Sequence, residues 1–234
     1  MNTSIYNIAL LDLLWVMIPV ALVIVIYMRW TQDRTTLFYA LFRMLIQLIL
    51  IGYVLTYIFT LNSSYLVILI LSIMLAAASV IALRPLQKKH RHLYLYAFIS
   101  IFIGGIFTLI MVVFGALDLN PWYEPKFLIP LTGMIFANSM NAVSISAERF
   151  ENESERGCNY VEARATSYKA ALIPIINSLF AVGLVSLPGM MTGQILSGVD
   201  PLIAVRYQMM VMLMILGSAG ISVAIYLLLM KERS

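Results

Sequence analysis

Five of the eleven acidic residues of the chain (Glu148, Glu151, Glu153, Glu155, Glu162) and four of its fifteen basic ones (Arg149, Arg156, Arg164, Lys169) fall between Glu148 and Lys169. Almost everything else is apolar, so this stretch is the one sizeable water-soluble piece. Glu148–Glu155 is acidic and compatible with a helix, and Gly157 is placed to end or bend it. Tyr160–Lys169 would then form a second short helix of the kind that seats in a groove of a partner. On these residues alone the segment is either a docking element or a solvated charged loop.

Other groups able to do chemistry are few. His90 and His92 could in principle hold a metal, but they sit among Arg84, Lys88, Lys89 and Arg91. A basic flank that meets anionic headgroups is the favoured reading. The single cysteine, Cys158, cannot form an intrachain disulfide and reads as an ordinary loop residue. Fifteen methionines invite a soft-metal reading. Most are spread through apolar runs, where Met is ordinary filler. Met190, Met191, Met209, Met210 and Met212 are the exceptions to be weighed as soft donors, but without Cys or His in the apolar runs a strong transition-metal site within one subunit is not expected. No phosphate-binding loop of the G-x-x-x-x-G-K-[ST] type is present, nor H-E-x-x-H, nor a histidine within an apolar run. The chain is therefore not expected to be an enzyme.

The elements that position these residues follow from composition. The chain is 62% hydrophobic and 11% charged, far from the balance of a soluble domain. An all-α integral membrane protein is expected, with residues 1–234 as a single transmembrane domain. A bilayer core of roughly 30 Å needs about 20 apolar residues in a helix. Seven stretches qualify: Ile8–Met28, Leu37–Thr60, Tyr65–Leu83, Leu93–Leu117, Phe127–Ala147, Ala170–Gly193 and Leu202–Met230. The first is too long for a cleaved signal and lacks a basic flank before it, so it is expected to stay in the protein. Twelve cations fall on one set of loops and two, Lys126 and Arg206, on the other. That places the N-terminus outside and the C-terminus in the cytoplasm. The outer loops are short, which argues against a receptor.

Polar residues within the spans are the candidates for a pathway. Asp12 lies near an outer end and is expected simply to reach the interface. Arg43 and Gln47 share a helix face, and pairing or snorkelling is preferred over substrate contact. Asn138 and Asn141 share a face of the fifth span beside Gly133 and Ala137. That face serves close packing or lines a polar path, and the residues leave both open. The sixth segment carries Pro174 and the run Pro188-Gly189-Met190-Met191-Thr192-Gly193-Gln194. Pro-Gly breaks a helix, and non-helical backbone in a membrane must face protein or water. A broken or re-entrant gate element is expected there.

Three blocks of sequence carry a resemblance. Ala171-Leu-Ile-Pro-Ile-Ile-Asn177, then Val182 through Pro201, resembles the FetB-like family of ABC transporter permeases, and the likeness continues in Ala204-Val-Arg-Tyr-Gln-Met-Met210. Arg43–Leu55 and Gly133–Asn141 look like two further family segments in the expected order. The family includes permeases linked to aluminium tolerance in plants. The resemblance implies a cell-membrane permease associated with metal export, iron first, working as a homodimer with a separate ATPase subunit. That partner would bind the ATP, and no cofactor is implied for this chain. Residues 148–169 would be the coupling loop, with Glu151, Glu155, Gly157, Glu162 and Ala163 as its contacts. The family's Leu-Gly-Ala-like turn is replaced by Arg156-Gly157-Cys158. The pathway or gate would draw on Arg43, Gln47, Asn138, Asn141, Asn177, Pro188, Gly189, Met190, Met191 and Gln194. An ATP-independent transporter or channel, or an assembly scaffold, are the alternatives.

Overall fold

The computed structural model describes residues 11–31, 33, 35–61, 63–86 and 90–233, the side chains of 59–61, 232 and 233 excepted. Ile8 to Leu10 of the first expected span, and the loop cations Arg34, Lys88 and Lys89, lie outside the described residues. The helices group into two compact units, Met1–Leu61 and Asn62–Ser234.

The first unit holds α1 (Leu13–Thr31) and α2 (Thr36–Leu61). Both are apolar on nearly every face, and α1 buries none of its side chains. Such a helix has no broad polar face for water and suits lipid. The turn between them is held by Asp33. Its carboxylate accepts from the Thr35 and Thr36 amides at 3.1 and 3.0 Å, and from the Tyr27 hydroxyl at 3.3 Å. Those bonds, the Thr36 amide foremost, lower the Asp33 pKa to about 2.

The second unit runs α3 (Ser64–Ala82), α4 (Arg91–Ile110), α5 (Pro125–Glu155), α6 (Tyr160–Ala181), α7 (Gly189–Leu196) and α8 (Pro201–Leu229). A π-helical stretch, Met111–Ala116, prolongs α4. Among the described residues six helices, α1 to α5 and α8, are long and apolar enough to cross a membrane. The seventh apolar segment is the one that breaks: α6 ends at Ala181, and Pro188 caps α7.

Helix α8 is the axis of this unit and packs against α4, α5, α6 and α7, while α3 lies on α4 and α5. Its buried stripe, Ala204, Gln208, Val211, Met214, Ser218 and Ser222, steps by three or four residues, as one face of a helix must. Lipid tails are as apolar as leucine, so membrane helices associate through close fit and not through exclusion of water. Small residues provide that fit here. A Cβ added at Gly104 of α4 would strike the Ser222 hydroxyl and lie 2.8 Å from the Ser222 backbone nitrogen. Only glycine lets the two backbones approach so closely.

Candidate functional site

The charged segment is not a loop carrying two short helices. Its acidic half is the last part of α5, and its second half is the first part of α6. At 1.5 Å per residue the 31 residues of α5 span about 46 Å, roughly 16 Å more than a bilayer core needs. The stretch of α6 from Tyr160 to Lys169 extends about 15 Å. Both helices therefore project together as one hairpin, α5 continuous with its membrane span and α6 with its apolar second half, Ala170 to Ala181. The periodicity within 148–169 is too short to show this; the continuity depends on the absence of a breaker between Ala147 and Glu148 or between Lys169 and Ala170.

The turn is built residue by residue. Gly157 has φ +83°, a conformation that costs other residues energy. Its amide donates to the Ser154 carbonyl at 3.1 Å, and the Cys158 amide donates to the Glu153 carbonyl at 3.1 Å. This is the paired bonding of a Schellman cap. Asn159 then caps α6, its side chain accepting from the Glu162 amide at 3.0 Å.

Glu153 is the electrostatic knot of the hairpin. It is buried, receives Arg149 at 2.6 Å and Arg156 at 3.5 Å, and accepts the Cys158 thiol at 3.4 Å. The bond from the thiol to the Glu153 carboxylate, with partial burial and the neighbouring negative charge, raises the Cys158 pKa. Tyr160 ties the hairpin to the helix axis of the unit: its hydroxyl donates to the Leu227 carbonyl at 2.9 Å, and its ring meets Phe150 edge-on. Arg164 lies over the same ring at 5.3 Å.

Beside the hairpin opens a cavity of ≈ 700 Å³, lined among others by His90, Glu151, Glu155, Cys158, Asn159 and Tyr160. Of the expected coupling residues, Glu151 and Glu155 line it, Gly157 makes the turn and Glu162 sits exposed at the start of α6. Ala163 is fully buried, so its side chain has no surface to offer a partner. His90 stacks on His92 with ring centres 5.5 Å apart, at the rim of this cavity.

A second cavity, of ≈ 410 Å³, lies where α6 breaks. Met191 reaches it, and so do Gln208, Met209 and Met212 of α8. Pro188 and Gly189 start α7 next to it, and Met190 and Gln194 are half-buried on the same short helix. The Gln194 Oε1 is buried and accepts no hydrogen bond among the described residues. Asn138 and Asn141 are not brought to this cavity. Asn138 donates to the Met134 carbonyl of its own helix at 2.8 Å, and Asn141 is exposed. Asn177 is exposed on α6. Arg43 and Gln47 belong to α2, in the first unit, half-buried and exposed respectively. Gln208 is a candidate that reading the sequence passes over. A carboxamide within the apolar run Leu202–Met230 is the signal, no weaker than that of Asn138.

Residues 9–167 and 159–234 match the Uncharacterised protein family (UPF0014). The chain belongs to this family. It is 35% identical over 189 residues to the UPF0014 membrane protein slr1647 of Synechocystis, covering 74% of this chain and 73% of that one. It is 35% identical over 202 residues to the probable iron export permease protein FetB of Escherichia coli, covering 78% and 75%. It is 30% identical over 221 residues to the protein ALUMINUM SENSITIVE 3 of Arabidopsis thaliana, covering 87% and 80%. No solved structure matches. The chain is a multi-pass membrane protein, as its long apolar helices and its relatives agree.

Proposed function

We propose that this chain is the permease subunit of an ABC transporter of the cell membrane that exports a metal cation, iron first. Family membership and the name of the Escherichia coli relative support the cargo. The observation that carries the mechanism is the projecting α5–α6 hairpin. A force applied at the Arg156–Asn159 turn passes along α5 and α6 into the bilayer without crossing a non-helical residue. Glu151, Glu155 and Glu162, interleaved with Arg156, Arg164 and Lys169, give the hairpin a charged surface for a cytoplasmic ATPase subunit. That partner binds and hydrolyses ATP, and this chain performs no catalysis and needs no cofactor of its own. Two copies of the permease work with two of the ATPase, and the pathway switches by rigid-body movement of packed helices.

The test is co-expression with a cognate ABC ATPase, purification through a tag on this subunit, and ATPase assay with and without Fe²⁺. A stoichiometric complex stimulated by Fe²⁺ is expected. A complex indifferent to the metal keeps the permease and discards iron. No complex removes the coupling role and favours a transporter that works without ATP.

A further inference from the structure

The turn between α6 and α7 leaves unwound backbone on the surface at membrane depth. No charged residue stands between Lys169 and Asp200. From Ala170 to Ala181 α6 rises about 18 Å into a bilayer core of roughly 30 Å. The turn lies beside Val205, Met209 and Leu213 of α8, about 6–18 Å from the start of that helix at Pro201. Both distances put residues 182–187 within the hydrocarbon layer. Residues 183–187 are all exposed, Leu184 at 91% and Val185 at 84%. The carbonyls of Val182, Gly183, Leu184, Val185 and Leu187 accept no backbone hydrogen bond among the described residues. Lipid offers no donor, so open backbone at that depth is tolerated only against protein or an aqueous path. Helix α3 makes the contrast: it is unbroken, and its exposed Ile68, Leu69 and Ile73 can face lipid as they are.

Helix α7 adds an observation of another kind. Gly189 and Gly193 are four residues apart and exposed, and a Cβ added at either would meet nothing within 4 Å. Leu196 and Ser197, also exposed, continue the same face. Glycine in a helix is less stable than alanine, and these two return no close packing within one copy, unlike Gly104 and Gly105. A small-xxx-small face in a membrane lets a second backbone approach, and it pairs with its own likeness. Phe180, Leu184, Val185, Leu187 and Leu196 are between 61% and 91% exposed. With the small residues among them they offer on the order of 800 Å², one partner's share of a standard interface. A two-fold pair uses the same patch on both copies, so one sequence supplies both sides. Ser186, exposed in the turn itself, is the hydroxyl donor that such a pair can offer the open carbonyls.

We propose that a second copy of this chain covers the α6–α7 turn, the two copies meeting through residues 182–187 and the Gly189, Gly193 and Ser197 face of α7. The proposal rests on the permease reading above and gives its pair of permeases a contact surface. The test uses the full chain in lipid bilayers, with Cys158→Ser as the background so that no native thiol reacts. Leu184→Cys should yield a dimer with a short bismaleimide cross-linker, and Ile73→Cys on α3 should not. Gly189→Ala combined with Gly193→Ala adds two methyls in open space. Within one copy that change should hold or raise the thermal midpoint, yet it should weaken pairing at least tenfold, read as the monomer fraction on dilution into lipid by single-molecule photobleaching. If the glycine variant fails to fold, the Leu184→Cys cross-link alone decides. A Leu184→Cys thiol that a membrane-impermeant maleimide labels readily and that forms no dimer shows an aqueous path and overturns the interface. So does equal cross-linking at Ile73→Cys, which marks random encounter in lipid, or full pairing by a folded glycine variant. Retention of the ATPase by the tagged parent separates the two readings: an ATPase-bound pair that does not link through Leu184→Cys defeats only this surface, whereas a parent that retains no ATPase defeats the permease reading.

Discussion

Glu153 is acidic, as are its neighbours Glu151 and Glu155, but its environment sets it apart. It is buried, and two arginines and a thiol converge on it, whereas Glu151 and Glu155 line an open cavity. Glu153→Gln replaces the charged acceptor that favours the protonated Cys158 thiol with a neutral, weaker one. The Cys158 pKa should then fall, more thiolate should be present at pH 8, and alkylation by iodoacetamide should speed up severalfold. A rate that stays at the parental value would show that the thiol does not sense this carboxylate. Glu153→Ala should also destabilise the hairpin by about 1–2 kcal/mol, discounted because Arg149 and Arg156 remain partly solvated. Thermal unfolding in detergent reads it. Tyr160→Phe deletes one hydroxyl and its bond to the Leu227 carbonyl while keeping the ring contacts. About 1 kcal/mol is the expected loss, on the same assay.

At the scale of elements, two glycines carry different burdens. Gly157 has open space around its would-be Cβ, so a substitution there meets backbone strain alone. Gly157→Val should cost about 1–2 kcal/mol and loosen the Schellman turn. Its effect on transport should exceed its effect on folding, since only the hairpin tip is altered; the comparison is metal flux against thermal midpoint. Gly104 is the opposite case. Gly104→Ala pushes a methyl into Ser222 and should splay α4 from α8, at a cost of about 1–3 kcal/mol. Loss of folded protein by size-exclusion chromatography is the readout. Apolar runs of about 20 residues place the helices within a few residues, because lipid forces every backbone group into a helix. The break is legible as Pro188-Gly189, yet the helix stops seven residues earlier, at Ala181. Nothing local in Ala181-Val182-Gly183 signals that end except Gly183, and one glycine in an apolar run is common in membrane helices. Continuity of the charged hairpin with its spans is hidden for a different reason. A drop in hydropathy reads as a loop, although charge does not end a helix.

The whole molecule couples two places that the sequence presents separately. The hairpin projects from the charged ends of α5 and α6, and the break, with a largely apolar cavity beside it, sits at the far end of α6. Helix α6 is 22 residues long, so a movement at Tyr160 is felt about 33 Å away with no intervening non-helical residue. Pro174 lies between the two ends and removes one internal bond, which makes it the point of least stiffness in that lever. Pro174→Ala restores the bond and stiffens α6 without changing either end. If transport needs a bend at this position, ATPase stimulation by Fe²⁺ should fall severalfold, while assembly with the ATPase and Fe²⁺ affinity stay at parental values. If α6 moves as a rigid rod, the substitution should leave stimulation intact and raise the thermal midpoint. The two outcomes assign α6 to a hinged or a rigid stroke, and neither depends on which residues the ATPase touches. A stiffened α6 that retained full stimulation would also fit the Arg156–Asn159 turn as the sole compliant joint, leaving Gly157→Val as the substitution that uncouples hydrolysis from flux.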